Sequence, residues 1–369
     1  MTKLSKGAVG ILVASSEGTL PFAEPAFCRN LCIMGEREGL EVYVFSPVSV
    51  NPDSGLVAGY FYEDGHWGRK WCSPPDIVYD RYFSRDRKQL NQKQQTLSLL
   101  KKNHPFIYLT RSLSGKWAVY RTLGKYPKFT SYLPETVKYQ DSSALSEWLH
   151  AHQGEAFLKP QLGTQGRRTL HVKMSTFGDE LCITGRAGNN NVINRRFLSL
   201  KQGLEWIDKF IGRRPFLLQP YLELSNAEGE PFDIRVLMQK NETGRWEKTG
   251  MAARVGRKQS VTSNLHGGGT AHKAIPFLIE QYGSGAGRKI ATIIQELAAE
   301  IPEALEAHYG RLAELGIDFG VDRKGKIWIL EVNSKPGRTS FVKIGDMKSA
   351  RKSIQNPMGY ARYLLHSKS

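Results

Sequence analysis

The segment from Gly316 to Gly337 constrains the fold more than any other part of the chain. Two apolar runs flank a short turn, with Asp318 on the first run and Glu331 and Asn333 two residues apart on the second. A spacing of two puts both side chains on one face of a strand. Carboxylate and amide oxygens suit Mg²⁺, which is commonly held by one or two carboxylates together with substrate phosphates. The alternative is an ordinary hairpin with solvated acids, but Glu331 follows an apolar run, so a core strand brings a charge to its edge.

A second feature is a lysine followed by a glycine-containing loop. Lys159 ends an apolar strand, and Gly163, Thr164 and Gly166 lie in the loop that follows. Backbone N–H groups in such a loop can cradle phosphate oxygens, to which the lysine adds a point charge. The sequence matches neither the P-loop nor the dinucleotide-binding fingerprint. From these residues alone, a plain hairpin turn is the better interpretation.

A third feature is the stretch 216–223, in which an apolar strand runs into a proline. Its backbone can offer N–H and C=O groups to the edge of an adenine, with Gln219 or Glu223 adding a hydrogen bond. A core strand that simply leaves its sheet explains the pattern equally well.

The fourth feature is a set of basic residues near a glycine-rich loop. Asp233 and Arg235 alternate with apolar residues and so share a face, Arg254 ends another apolar run, and Asn264 begins the loop NLHGGGT. Together these groups predict an anion pocket. Cross-strand ion pairs are the alternative.

The order of elements predicts an α/β chain with a parallel sheet at its beginning. Apolar runs at 8–14 and 41–47 flank a helical stretch, which indicates a βαβ unit. From residue 156 onward, short strands typical of antiparallel sheets follow, with a helix at about 286–308.

Composition narrows the class of protein. Fifty-two Lys and Arg against 35 Asp and Glu give a net charge of +17, which favours anionic partners without choosing among them. The basic residues are spread along the chain without a nucleic-acid reader motif, so a nucleic-acid-binding protein is disfavoured. Four scattered cysteines do not make a disulfide framework or a zinc site, and no run approaches the ~20 apolar residues of a membrane helix. We expect a reduced, intracellular protein.

In this order and spacing, the four features resemble the ATP-grasp superfamily and, within it, the YheC/YheD-type proteins associated with endospore coats. The resemblance covers nearly the whole chain. It includes GAVGILVASSEGTLPFAEPAF, GLEVYVFSP, PPDIVYDR, SGKWAVYRTL, YLPET and GIDFGVDRKGKIWILEVNSKPG.

The resemblance implies an ATP-grasp fold with three parts. These are an N-terminal parallel α/β domain at 1–112, a small central lid subdomain at 113–215, and an antiparallel-sheet subdomain at 216–369 that carries the metal site. The 156–200 region is the expected lid.

The resemblance also implies a nucleotide site. Lys116 and Lys159 would be the two lysines that contact the nucleotide phosphates. The loop from Gly163 through Thr164 to Gly166 would cover the phosphates. Gln219 would face the adenine amino group. Tyr221 and Leu222 would present hinge backbone at this end of the site, and Glu223 would contact the ribose.

The remaining implied residues serve the chemistry. Asp318, Glu331 and Asn333 resemble the Mg²⁺ ligands, while Arg235 and Arg254 resemble the basic residues near the γ-phosphate and the acyl acceptor. Asn264 would lie beside these arginines.

The implied activity is that of an ATP-dependent carboxylate–amine ligase which acts through an acyl phosphate on an amino acid, a peptide or a spore-coat substrate. The alternative is an ATP-binding structural component of the coat with little turnover. The expected location is the cytoplasm on the mother-cell side, or the spore coat, without a membrane or a specific nucleic acid as partner. Part of the Lys and Arg excess would then contact acidic partners or a coat surface.

Overall fold

Three β-sheets follow one another along the chain. The computed structural model describes residues 7–84, 86–163, 166–175, 179–258 and 268–367. Each sheet has its own buried apolar layer, and within the described ranges no helix is long and apolar enough to cross a membrane.

The N-terminal sheet is mixed and confirms the βαβ prediction. Its strands have the order β4-β3-β2-β1-β5-β6, with parallel pairing from β2 to β6 and an antiparallel hairpin at β3 and β4. Helix α1 buries Cys28, Leu31 and Cys32 against it, so the first two cysteines share a buried face. The elements are β1 Ala8–Leu12, α1 Pro25–Arg37, β2 Glu41–Phe45, β3 Val57–Glu63, β4 His66–Cys72, β5 Ile77–Asp80, α2 Arg87–Asn103 and β6 Ile107–Tyr108.

The middle sheet is antiparallel, with the strand order β11-β10-β9-β8-β12-β7. On β8, Ala156 and Leu158 are buried in the core shared with α5 and α6, so the alternating Lys159 lies on the opposite face. The elements are α3 Lys116–Leu123, α4 Pro127–Thr130, β7 Val137–Lys138, α5 Ser142–Ala151, β8 Glu155–Pro160, β9 Leu170–Met174, β10 Leu181–Arg186, β11 Val192–Phe197, α6 Leu200–Ile211 and β12 Phe216–Gln219.

The C-terminal sheet is also antiparallel, with the order β15-β14-β13-β16-β17. One face, with Ile234, Val236 and Phe319, packs on α3, α7 and α8, and the other face carries polar side chains. The elements are β13 Phe232–Lys240, β14 Trp246–Val255, β15 Thr270–Lys273, α7 Ala274–Tyr282, α8 Ser284–Tyr309, β16 Glu314–Val321 and β17 Ile327–Asn333.

The last two helices of the chain are α9 Thr339–Lys343 and α10 Met347–His366. Helix α10 packs against both the N-terminal and the C-terminal sheet. Met358, Ala361 and Leu364 of α10 lie in the core of the N-terminal sheet, while the same helix contacts β13 and β14. Strand β12 begins at Phe216 and pairs within the middle sheet. The domain boundaries at 112 and 215 stay a prediction.

Candidate functional site

The hairpin of β16 and β17 brings the predicted metal ligands to one face. Asp318 lies directly opposite Glu331, and Gly316 lies opposite Asn333. Residues opposite each other in an antiparallel pair share a face of the sheet. The register shifts between Asp318 and Phe319, so Leu330 is the extra residue of a β-bulge. The three oxygen-bearing side chains therefore project from the same side of the hairpin.

Asp318 is buried in a network of two arginines. Arg235 holds it through Nε and Nη2, the latter 2.9 Å from Oδ2, and Arg254 Nη2 lies 3.0 Å from the same oxygen. Arg254 also grips Asp233 with two hydrogen bonds of 2.6 and 2.7 Å. Burial alone raises the pKa of Asp318, but the two guanidinium groups outweigh burial and hold it below its ordinary value. The cross-strand ion pairs weighed as an alternative are present here.

Glu331 faces a different partner, because Lys116 reaches it from the start of α3. Lys116 Nζ lies 3.1 Å from Glu331 Oε1 and donates a hydrogen bond of 2.6 Å to the Gly163 carbonyl. The ammonium group of Lys116 thus contacts both the predicted phosphate-covering loop and a predicted metal ligand.

Lys159 enters the same cleft from β8. Its Nζ donates to the Leu330 carbonyl at 3.4 Å, the carbonyl of the bulge residue. Burial lowers the pKa of Lys159 to about 8; Glu331 acts to raise it and Lys116 to lower it. The ammonium group therefore lies in a setting where an anionic ligand would favour its charged form.

The predicted adenine end of the site is ordered by side-chain contacts. Gln219 is buried, and its Nε2 donates to Thr136 Oγ1 at 2.6 Å. Tyr221 stacks on His171 with ring centroids 3.5 Å apart. Glu223 is exposed and pairs with Arg323 at 3.1 Å. Leu222 lies between these two residues, where its carbonyl accepts a hydrogen bond from the backbone of Leu224.

A small cavity of about 30 Å³ lies between α3, the middle sheet and β17. Four of the predicted residues line it: Lys116, Lys159, Gln219 and Glu331. Thr136 also lines it and was not predicted as a site residue, since a threonine in an extended link carries no signal of its own.

The other predicted site residues lie outside this cavity or outside the described ranges. Gly163 and Gly166 have φ of 147° and 63°, values that favour glycine, so the loop bends where the sequence places these two residues. Thr164 and Asn264 lie outside the described residues.

The donor set tests whether a magnesium ion fits here. Two carboxylates and one carboxamide on one face are hard oxygen donors, the type that Mg²⁺ prefers. In the described part of the chain, no group of three or more His, Cys, Asp or Glu could hold a metal by itself. The site therefore fits a magnesium ion that is bound by these side chains together with the oxygens of a bound phosphate.

The segment after β17 is anchored to the N-terminal sheet, which sequence analysis missed. Lys335 Nζ lies 2.9 Å from Asp80 Oδ1 and 2.7 Å from the Tyr82 carbonyl. Buried Glu314 receives hydrogen bonds from Tyr79, at 2.6 Å, and from Arg338. Lys335 and its two partners, and likewise Tyr79 and Glu314, are more than 200 positions apart in the sequence. Residue spacing therefore gives no signal for these contacts.

Comparison with known proteins agrees with this architecture, which is an ATP-grasp fold. The chain belongs to the YheC/D-like ATP-grasp family, whose model matches residues 105–364. It is 28% identical over 352 residues to the endospore coat-associated protein YheC of Bacillus subtilis (strain 168), covering 94% of each chain. It is 29% identical over 340 residues to the endospore coat-associated protein YheD of the same organism, covering 90% of this chain and 73% of that one.

The fold also resembles a solved structure, that of N5-carboxyaminoimidazole synthetase from Staphylococcus aureus complexed with ADP. The TM-score is 0.54 at 10% identity, over 96% of this chain and 77% of the other. At this identity the likeness concerns the fold.

Proposed function

We propose that this protein is an ATP-dependent ligase that joins a carboxylate to an amine through an acyl phosphate and releases ADP. The observation that carries the proposal is the meeting of Lys116, Lys159 and Glu331 in the cleft between the middle sheet and β17. Two ammonium groups can bind the oxygens of a triphosphate. The carboxylate beside them can bind a metal ion together with the same phosphates.

The nucleotide enters where Lys116 now closes the cleft. A pocket for a ligand of this size takes ~300 Å³ or more, far above the present cavity, so β8 and its loop move away from β17 on binding. Lys116 and Lys159 then bind phosphate oxygens in place of Glu331 and the Leu330 carbonyl. Gln219, held by Thr136, keeps its carboxamide oxygen for the adenine amino group. The fold neighbour from Staphylococcus aureus is complexed with ADP, which supports the proposal that this chain binds a nucleotide.

Asp318, Glu331 and Asn333 would hold the magnesium ion, which supplies neutralisation of phosphate charge when bound. Asp318 keeps its negative charge in the protein interior because Arg235 and Arg254 hold its pKa down. Glu331 becomes available once Lys116 turns from it to the phosphates.

The reaction needs positioning and charge rather than a protein nucleophile. A carboxylate oxygen of the substrate attacks the γ-phosphorus, and the bond from that phosphorus to the β–γ bridging oxygen breaks, which frees ADP. The amine nitrogen then attacks the acyl carbon, the bond from that carbon to the phosphate oxygen breaks, and the nitrogen loses its proton to the departing phosphate. Arg235 and Arg254 stabilise the charge on the transferred phosphoryl group and on the departing phosphate. Asn264, which lies outside the described residues, stays a further contact proposed from the sequence.

An exposed acyl phosphate hydrolyses, so the site has to exclude water during the reaction. The middle sheet and its 156–200 region serve as the lid. The hydrogen bond from Lys116 to the Gly163 carbonyl supports this role, because it joins a residue of the loop after β8 to the start of α3.

The substrates we propose are an amino acid, a peptide or a spore-coat protein. The names of the two Bacillus relatives support a coat setting, and we place the protein in the mother-cell cytoplasm or on the spore coat, with coat proteins as partners.

The test is ADP release from Mg-ATP with a panel of amino acids and peptides. We expect wild-type turnover, and its loss in Glu331→Gln and Lys159→Ala. Lys128→Ala is the matched control, because Lys128 forms an exposed ion pair with Glu300 and neither residue lines the cavity. Equal turnover in all four proteins would overturn the site assignment.

A structural role in the coat is the second candidate, favoured by the names of the relatives. It predicts nucleotide binding without ADP release across the whole panel. The two candidates share the same nucleotide site and differ only in turnover.

A further inference from the structure

A group of basic side chains lies outside the lining of the nucleotide cavity, where α9 contacts β15 and leads into α10. Lys273 ends β15, Lys343 ends α9, and Lys348 and Arg351 lie in the first turns of α10. All four side chains are exposed. Among the described residues, none of the four forms an ion pair with a carboxylate. We call these four residues, with Val342 and Met347, the basic strip.

Two observations show that the strip is one continuous surface. Helix α9 contacts β15, so Lys343 and Lys273 belong to neighbouring elements. The charges of Lys273 and Lys348 both act on Asp346: burial raises its pKa, but hydrogen bonds from Ser349 and these two charges outweigh burial and lower it. The Asp346 carboxylate is occupied as the cap of α10, where it accepts from the Ser349 backbone at 3.0 Å and from its hydroxyl at 2.6 Å.

Apolar side chains are interspersed with these charges. Val342, near the end of α9, is 58% exposed, and Met347, the first residue of α10, is 59% exposed. Met347 and Arg351 are four residues apart on α10 and therefore share a face of the helix. A flexible thioether adapts to irregular partner side chains.

We propose that the basic strip binds an acidic segment of a partner polypeptide. Four unpaired cations favour an anionic partner, and the two exposed aliphatic or thioether side chains give a polypeptide apolar contacts that a phosphate backbone lacks. The strip contains no aromatic ring on which a nucleic-acid base could stack. The surface accounts for part of the +17 charge that the nucleotide site leaves unexplained.

The position of the strip connects it with the catalytic face. Lys273 lies opposite Ala252 and Ala271 lies opposite Arg254, so the strip begins at the strand that flanks the predicted catalytic arginine. A segment bound there would be held beside the site, and this last step rests on the proposed function.

The test is fluorescence anisotropy of a labelled glutamate-rich peptide, measured without nucleotide so that failure of the ligase proposal does not affect it. We expect binding that weakens as salt is raised, and at least a tenfold loss of affinity in the double variant Lys343→Glu with Lys348→Glu. Lys101→Glu with Lys102→Glu is the matched control, since these exposed lysines lie on α2. A second variant, Val342→Ser with Met347→Ser, should weaken binding several-fold even at high salt.

Three results would overturn the proposal. The first is equal peptide affinity in wild type and the Lys343/Lys348 variant, when circular dichroism shows both to be folded. The second is tighter binding of single-stranded DNA of equal charge through the same residues. The third is tighter binding of vesicles containing phosphatidylserine. ADP release with small substrates should be unchanged in both strip variants, because none of their residues lies in the cleft.

Discussion

Asp318 and Glu331 lie directly opposite each other on β16 and β17, yet their carboxylates are held by different parts of the molecule. Asp318 is bound by two arginines of its own sheet, whereas Glu331 is bound by Lys116 at the start of α3. Movement of β8 away from β17 would separate Lys159 from the Leu330 carbonyl and leave the arginine network in place. Helix α3 packs on the C-terminal sheet, so Lys116 would leave Glu331 by turning its side chain towards the phosphates. In the proposed function, the arginine network around Asp318 is preformed, and the contacts of Lys116 and Lys159 with the phosphates form on nucleotide binding.

Replacement of Lys116 by methionine should separate binding from stability. The Lys116–Glu331 pair is partly open to solvent, so its loss should change the free energy of unfolding by less than about 1 kcal/mol. Nucleotide affinity should fall at least tenfold, because one of two phosphate-binding charges is gone. Urea denaturation and nucleotide titration measure the two effects, with Lys128→Met as control. A large loss of stability with unchanged affinity would assign Lys116 a structural role.

Nucleotide binding should take up a proton above neutral pH. The pKa of Lys159 is about 8 in the free protein because the ammonium is buried. Phosphates beside it favour the charged form and raise this pKa, so near pH ~8.5 binding draws a proton from the buffer, and at pH ~6.5 the lysine is already protonated. Calorimetric titration in two buffers of different ionisation enthalpy measures the uptake. No buffer dependence at the higher pH would place the phosphates away from Lys159.

Loss of Arg254 should be severely destabilising. Its removal deprives buried Asp233 of Arg254 and leaves buried Asp318 with Arg235, and breaking such a buried pair costs about 3–5 kcal/mol. Chemical denaturation of Arg254→Ala measures this cost. Arg196→Ala, which removes an exposed pair with Glu180, should leave the unfolding midpoint nearly unchanged. Similar midpoints for the two variants would mean that the network is not buried in solution.

Acid should loosen the anchor between the N-terminal sheet and the segment after β17. Burial raises the pKa of Asp80, but Lys335 and Lys93 outweigh burial and lower it below its ordinary value. A depressed folded pKa gives stability that is present above the unfolded value of ~3.9 and is lost as the pH falls through the folded value.

The variant Asp80→Asn should therefore be less stable than wild type near neutral pH and lose less stability on acidification. Urea midpoints from pH ~7 to ~3 measure this difference. Asp53→Asn, in an exposed loop, is the control and should follow wild type. If the urea midpoints of wild type and Asp80→Asn had the same pH dependence, Asp80 would not contribute to the loss of stability in acid.

The sequence predicted those parts of the fold that depend on local pattern. The apolar runs around α1 predict a βαβ unit, and the spacing of Glu331 and Asn333 predicts a shared strand face; both agree with the structure. Helix α2 was not predicted, because it buries only Leu97 and Leu100 and most of its other residues are polar, which leaves a weak periodic signal.

The candidate site was predicted as a set of residues but not as a geometry. The sequence pattern alone could not show that Arg254 would bind both Asp233 and Asp318. It also could not show that Lys116 would pair with Glu331, because each contact depends on how separate elements pack. Buried Glu314 is the clearest omission: a charge at the start of an apolar strand gives no hint of the tyrosine and arginines around it.

The most direct test of the central claim is a crystal structure with Mg²⁺ and a non-hydrolysable ATP analogue. We predict the triphosphate in the cleft between β8 and β17, a phosphate oxygen within ~3.2 Å of Lys159 Nζ, and Lys116 separated from Glu331. An analogue bound elsewhere, or a saturated protein in which Lys116 still pairs with Glu331, would contradict the account.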